Sequence, residues 1–124
     1  VSAAKGVLGV RAFIPARDFA LSQRFYAALG FEAGHVDAQV AVLTLGESGI
    51  ILQNYYEKAF AENCMVQLMV EDVDDWWARA VPPGLAAEFD VQHPKPPVMQ
   101  SWGLKVGFIW DPSGVLWHVT QRPA

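Results

Sequence analysis

The sequence predicts an α+β domain made of two copies of one strand–helix–strand unit, and three observations carry that reading. The first is a repeat of landmarks. Asp18 stands seven residues after Arg11, and Asp72 stands seven after Met65; Gly30 and Gly84 each follow their aspartate by twelve. A Ser-Gly pair then opens a strand-like run in each half, SGIILQ and SGVLWH, with Gln53 and His118 four residues past the glycine. The second observation is composition: 124 residues, 52% hydrophobic and 18% charged, suffice for one buried core without disulfides or metal. The third is local pattern, which assigns the same order of elements to both halves.

In the first unit VLGVRAFIP alternates as a strand does. Asp18 is placed to cap a helix over FALSQRFYAALG, whose Phe19, Ser22, Tyr26 and Leu29 share one face and whose Gly30 ends it. VAVLTL and GIILQNY then form an antiparallel pair around Gly46-Glu47-Ser48-Gly49. In the second unit NCMVQLMV is a strand and Asp72 caps VDDWWARA, which Pro82 and Pro83 terminate. FDVQHPKPPVMQSWG is expected to be an extended loop with little ladder bonding. LKVGFIW and VLWHVT close the chain as a hairpin around DPSG. One domain over 1–124 results, with units of about 1–56 and 63–124.

Period-two alternation assigns faces. Val10, Ala12 and Ile14 are expected beneath the first helix, with Arg11 and Phe13 opposite. Val66, Leu68 and Val70 are expected on the helix side, leaving Met65, Gln67 and Met69 on the second face. Ile51, Gln53 and Tyr55 share that face, as do Leu116, His118 and Thr120. A four-residue DPSG turn sets Ile109 against Leu116, Gly107 against His118 and Lys105 against Thr120. Apolar walls with a few convergent polar groups describe a ligand cavity. Trp102 follows the proline-rich stretch without a place in any core pattern, so its indole is expected to be exposed and available for stacking. The other four tryptophans, Trp76, Trp77, Trp110 and Trp117, have core explanations from helix or sheet periodicity.

Several function classes are disfavoured. A net charge of −4 without a Lys/Arg cluster argues against binding a phosphate backbone. No apolar run approaches the roughly 20 residues of a membrane helix, and no secretory pattern opens the chain. The single Cys64 has no partner for a disulfide, which fits a reducing cytoplasm. EDVDD lacks the glycine and distal glutamate of a calcium loop, and a helix N-terminus explains its charge. No phosphate loop, nucleophile elbow or zinc-type Cys/His spacing occurs. His35 and His93 are expected in surface loops.

RDFALSQRFYAALGFE, VEDVDDWWARA and GFIWDPSGVLWHVTQ together resemble the glyoxalase/bleomycin-resistance/extradiol-dioxygenase superfamily, the vicinal oxygen chelate fold, over essentially the whole chain. The resemblance implies two βαβββ modules forming a cup-shaped mixed sheet with helices outside, usually completed by dimerisation. It is strongest for small bleomycin-resistance-type binding proteins, in which a tryptophan at the place of Trp102 helps hold the drug. In metal-dependent members one His or Glu from each of four strands holds a divalent ion. Those places fall here on Arg11, Gln53, Met65 and His118. A permanent cation, a neutral amide, a thioether and one imidazole do not make a catalytic divalent site. The sequence therefore predicts a metal-free, cofactor-free protein that sequesters a planar or aromatic organic compound such as an antibiotic. Its ligand set is Arg11, Phe13, Gln53, Tyr55, Met65, Gln67, Trp102, Lys105 and His118, with a homodimer expected. The alternatives are a metal-independent lyase, isomerase or hydrolase using Arg11 and His118, or a metalloenzyme with displaced ligands.

Overall fold

Each half of the sequence forms a four-stranded mixed sheet, and the two sheets have the same strand order. The computed structural model describes residues 2–124. The first unit comprises β1 (Phe13–Pro15), α1 (Phe19–Ala28), β2 (Glu32–Val36), β3 (Val40–Leu45) and β4 (Ser48–Gln53). A short helix α2 (Lys58–Asn63) leads into β5 (Met65–Val70), α3 (Val73–Ala80), α4 (Leu85–Phe89), β6 (Lys95–Met99), β7 (Lys105–Trp110) and β8 (Leu116–Gln121). Strand order is β1-β4-β3-β2 in one sheet and β5-β8-β7-β6 in the other. In each, the first strand runs parallel to the last and the remaining pairs are antiparallel. The landmark repeat is thus a repeat of topology, two βαβββ modules, with both sheets open.

The local signals act as their chemistry requires. Asp18 accepts from the Leu21 N–H and Asp72 from the Asp75 N–H, so both aspartates cap their helices. Gly30, at φ +100°, ends α1: its N–H reaches Ala27 O while the Phe31 N–H reaches Tyr26 O, a Schellman closure. The β3–β4 hairpin turns through Gly46 at φ +60°, with Leu45 facing Ser48 across it. Strands β2 and β6 and helices α2 and α4 have no clear sequence signal. Both strands are exposed, and each carries a bulge that spoils its alternation; in β6 the bulge falls at Pro96 and Pro97. The proline-rich stretch is therefore an edge strand where a loop is expected.

The opening strand is shorter than its pattern. Only Phe13–Pro15 pair with β4, and Ile14 is buried. Val10, expected under α1, is 91% exposed, Leu8 is fully exposed, and Ala12 is exposed as well. In parallel register with β4, Val10 comes level with Ser48, the first residue of that strand, and residues before it run past the end of the sheet, so their pattern has nothing among the described residues to pack on.

Helix-side residues of both sheets meet in one core. Phe25 and Tyr26 of α1 are fully buried; Phe25 packs edge-on to Phe89 at 5.5 Å, and Tyr26 lies 5.7 Å from Trp117 on β8. Leu43, Leu52, Ile109 and Val119 fill the space between. Fully burying side chains of this size contributes about 1.5–3 kcal/mol each before the entropy of ordering them. The Tyr26 hydroxyl donates to Asp111 Oδ2 and accepts from Trp117 Nε1, joining the modules through a polar link inside the apolar core.

Asp111 also sets the register of the last hairpin. Its Oδ1 accepts from the N–H groups of Ser113 and Val115, and its own N–H donates to Val115 O. The loop is thus three residues, Pro112-Ser113-Gly114, with Gly114 at φ +93°. Trp110 therefore faces Leu116, Phe108 faces His118 and Val106 faces Thr120, one residue away from the pairing a four-residue turn predicts. A one-residue change moves every β7 side chain to the other face.

Candidate functional site: the open face of the second sheet

The face of β5–β8 turned away from the helices presents a row that crosses all four strands. Lys95 pairs with Phe108, Phe108 with His118, and His118 with Gln67. Flanking this row are Trp110, Leu116 and Met65 on one side and Val98 and Met69 on the other, while Val106 and Thr120 are buried. Phe108 meets the His118 ring edge-on at 4.9 Å and lies 6.4 Å from Trp110, the latter two rings tilted by 33°. The Lys95 ammonium stands 5.8 Å from the Trp110 ring centroid. Met65 is 67% exposed and Met69 50% exposed, so two flexible thioethers border the aromatic strip. His118 is half-buried, and its Nε2 is buried without a hydrogen-bond partner among the described residues. An orphaned polar atom of this kind costs free energy unless something satisfies it.

The residues singled out from sequence fall into four places. Met65, Gln67 and His118 lie together on this face. Phe13 and Gln53 lie on the first sheet, with Phe13 against Ile51 and Gln53 against Val40, while Arg11 is exposed just before β1 with its Nε over Gly49. Tyr55 is exposed beyond the end of β4, and Trp102, 57% exposed, sits in the β6–β7 turn closed by the Gly103 N–H to Gln100 O. Lys105 is a correction. The shifted register places it on the helix side, where its Nζ contacts Asp74 of α3 at 2.5 Å. Gly107 is a second correction: it faces Val119, and Trp77 fills the space beyond it, so Phe108 and not open space stands opposite His118. Trp110, given a core role by periodicity, is half-buried on the open face. Sequence reasoning missed Phe108, Trp110 and Lys95 here. For Phe108 and Trp110 the available signal was Asp111, whose side chain can fold back over a three-residue loop; Lys95 had none, since its strand reads as a loop.

A cleft of about 260 Å³ lies between the start of β4 and the unpaired edge of β5, lined by Ser48, Gly49, Ile50, Gln67, Met69 and Trp117 among others. Gly49 also borders a second cleft, of about 370 Å³, that Arg11 lines. The first cleft lies where the first module meets the β5 edge of the second sheet, whereas the second is built by residues of the first module.

The residues at the metal places do not fit a divalent ion. Arg11 is a guanidinium over a backbone, and among the described residues no group of three or more His, Cys, Asp or Glu side chains could hold a metal. Two buried groups have displaced titration. Burial raises Asp111 above the ordinary carboxylate value, against hydrogen bonds from Tyr26 and from the Val115, Ser113 and Gly114 backbone that lower it. Burial first, and the Asp111 charge second, push Tyr26 well above the usual phenol range. The Cys64 thiol is raised by burial and by Asp111, the opposite of an activated nucleophile. Asp111 and Tyr26 lie behind the open face, in the core, and Cys64 is partly buried beside it.

Paired βαβββ sheets carrying an aromatic, carboxylate-poor face define a two-module α+β fold with a candidate binding surface. The chain has the fold of the bleomycin-binding and glyoxalase proteins that its motifs resemble. A bleomycin-binding protein complexed with bleomycin is 21% identical, with a TM-score of 0.75 over 93% of this chain and 98% of that one. The bleomycin-binding protein of bleomycin-producing Streptomyces verticillus, complexed with copper(II)-bleomycin, is 26% identical, with a TM-score of 0.74 over 94% and 98%. Lactoylglutathione lyase from Agrobacterium tumefaciens is 14% identical, with a TM-score of 0.64 over 94% and 96%. By sequence alone, no protein-family model and no curated protein matches.

Proposed function

We propose that this protein binds and sequesters a small planar or aromatic organic compound, as a metal-free member of the glyoxalase/bleomycin-resistance superfamily acting in the cytoplasm. The observation that carries the reading is the open face of β5–β8: Phe108 and Trp110 beside the His118 ring, bordered by the exposed thioethers of Met65 and Met69. Aromatic surface flanked by adaptable side chains and a few polar groups is what a planar ligand needs. Drug-binding proteins of the same fold support an antibiotic as the ligand. Metal-assisted chemistry has no ligand set to work with, because only His118 among the four metal places is a good divalent ligand.

A homodimer belongs to the same proposal. Val7, Leu8 and Val10 are exposed on an arm before β1, and β5 ends its sheet with Met65 and Met69 exposed. A second copy would cover both and bring Arg11, Phe13 and Gln53 of one sheet toward the other face. The test is a thermal-shift screen of bleomycin, other DNA-damaging antibiotics and aromatic metabolites, with metal content measured in parallel. Saturable stabilisation by a planar compound is the expected result, since a ligand of the native state raises apparent stability. Stoichiometric divalent metal lost in His118→Gln, or no stabilisation by any planar compound, would overturn the proposal.

A further inference from the structure

Resting on that small-molecule reading, we infer that the open face of the second sheet selects planar aromatic compounds bearing an acidic group, a carboxylate or ionised phenol, over cationic ones. The chain as a whole is acidic, with 13 Asp and Glu against 9 Lys and Arg. None of those acidic residues lies in β5, β6, β7 or β8. The charged residues of these strands are Lys95 and Lys105, and their fates differ. Lys105 points to the helices and is neutralised by Asp74. Lys95 stands on the open face, and among the described residues no carboxylate is within 4 Å of its ammonium. It leans on Trp110, at the end of the row that runs through Phe108 to His118.

A planar ring lying on Phe108 and Trp110 has an ammonium at one side and a half-buried imidazole at the other. An anionic substituent gains attraction to Lys95 without displacing an existing ion pair. A cationic substituent loses hydration, meets like charge, and finds no carboxylate on the face to compensate. Acidic groups do occur nearby, at the end of the sheet: Glu62 and Asp90 border Trp110 together with the Arg17 guanidinium. A ligand seated there would prefer the opposite charge, which makes the sign of the preference a report on position.

The experiment compares 2-naphthoate, 2-naphthylmethanol and 2-naphthylmethylammonium by tryptophan fluorescence titration of the full chain. Naphthoate should bind tightest, by about three- to fivefold over the ammonium compound, the scale of one exposed charge pair. The preference should shrink as salt is raised. Lys95→Met should erase it and Lys95→Arg preserve it. Equal binding of all three probes, or tighter binding of the cation, overturns the charge selection and leaves the small-molecule reading standing. Binding by none of the three removes both.

Discussion

The Tyr26 hydroxyl donates to Asp111 Oδ2 at 2.6 Å and accepts from Trp117 Nε1 at 3.0 Å, so one phenol of the first module holds both arms of the last hairpin of the second. Tyr26→Phe leaves the Asp111 carboxylate short of a donor and the Trp117 N–H without an acceptor, both inside the core. It should destabilise the fold by about 1–3 kcal/mol in urea denaturation, the cost of orphaned buried polar groups. The pH dependence follows from the sign of the shift. Tyr26 is raised in the folded state, so its contribution is intact below about pH 10 and is lost as pH climbs toward the folded value. Alkaline unfolding should therefore be less steep in Tyr26→Phe than in the parent chain.

Gly107 should not tolerate a methyl group. A Cβ there would stand 2.4 Å from the Trp77 ring, which has no flexible end to move aside. Gly107→Ala should cost about 1–3 kcal/mol, as overpacking does. Trp77→Leu in the same chain should recover part of that loss, since the two sites share one contact. A neutral Gly107→Ala variant would count against the hairpin register.

Neighbours on β8 should behave in opposite ways. Trp117 is buried against Tyr26 and Phe31, so Trp117→Ala should cost about 3–5 kcal/mol of stability. His118→Gln should leave the melting temperature nearly unchanged and alter affinity for a planar ligand. Measuring both variants by calorimetry and titration separates the faces of one strand.

Trp102→Ala should weaken binding of a planar ligand by about 1–3 kcal/mol if the β6–β7 turn closes over the occupied face. Its indole is mostly in solvent, so thermal stability should not change. Lost stability without lost affinity would assign Trp102 to the fold and not to the ligand.

Light scattering at micromolar concentration should give twice the mass of the 13.6 kDa chain. Deleting residues 2–11 should shift the equilibrium toward monomer while the folded core persists, because those residues are exposed throughout.

The fold was legible where local chemistry and global packing agree. Asp18, Gly30 and Asp72 mark helix ends by their own side chains or backbone freedom, and the Ser-Gly pairs mark the strands that follow. Pattern failed where its cause lay outside the unit. Leu8 and Val10 continue the alternation of Ala12 and Ile14, yet no surface among the described residues covers them. Strand β6 hides behind Pro96 and Pro97, which remove ladder donors and break the alternation. Of the candidate site, His118, Gln67 and Met65 were placed together by the repeat. Phe108 and Trp110 were not, because the β7 register depends on one loop residue: Asp111 folds its carboxylate onto Ser113 and Val115 and shortens the turn. Lys95 was not, because β6 reads as a proline-rich loop.

The proline bulge in β6 also bears on where copies can associate. Sheets recruit neighbours through unpaired edges, and the second sheet has two, β5 and β6. At β6, Pro96 and Pro97 deprive the outer ladder of donors and kink its path, so another strand finds no continuous template. At β5 the backbone is regular and proline-free. With one edge stripped of donors and the other regular, strand addition to this sheet is confined to β5. The same prolines that obscure β6 in the sequence make it a poor template for fibre growth.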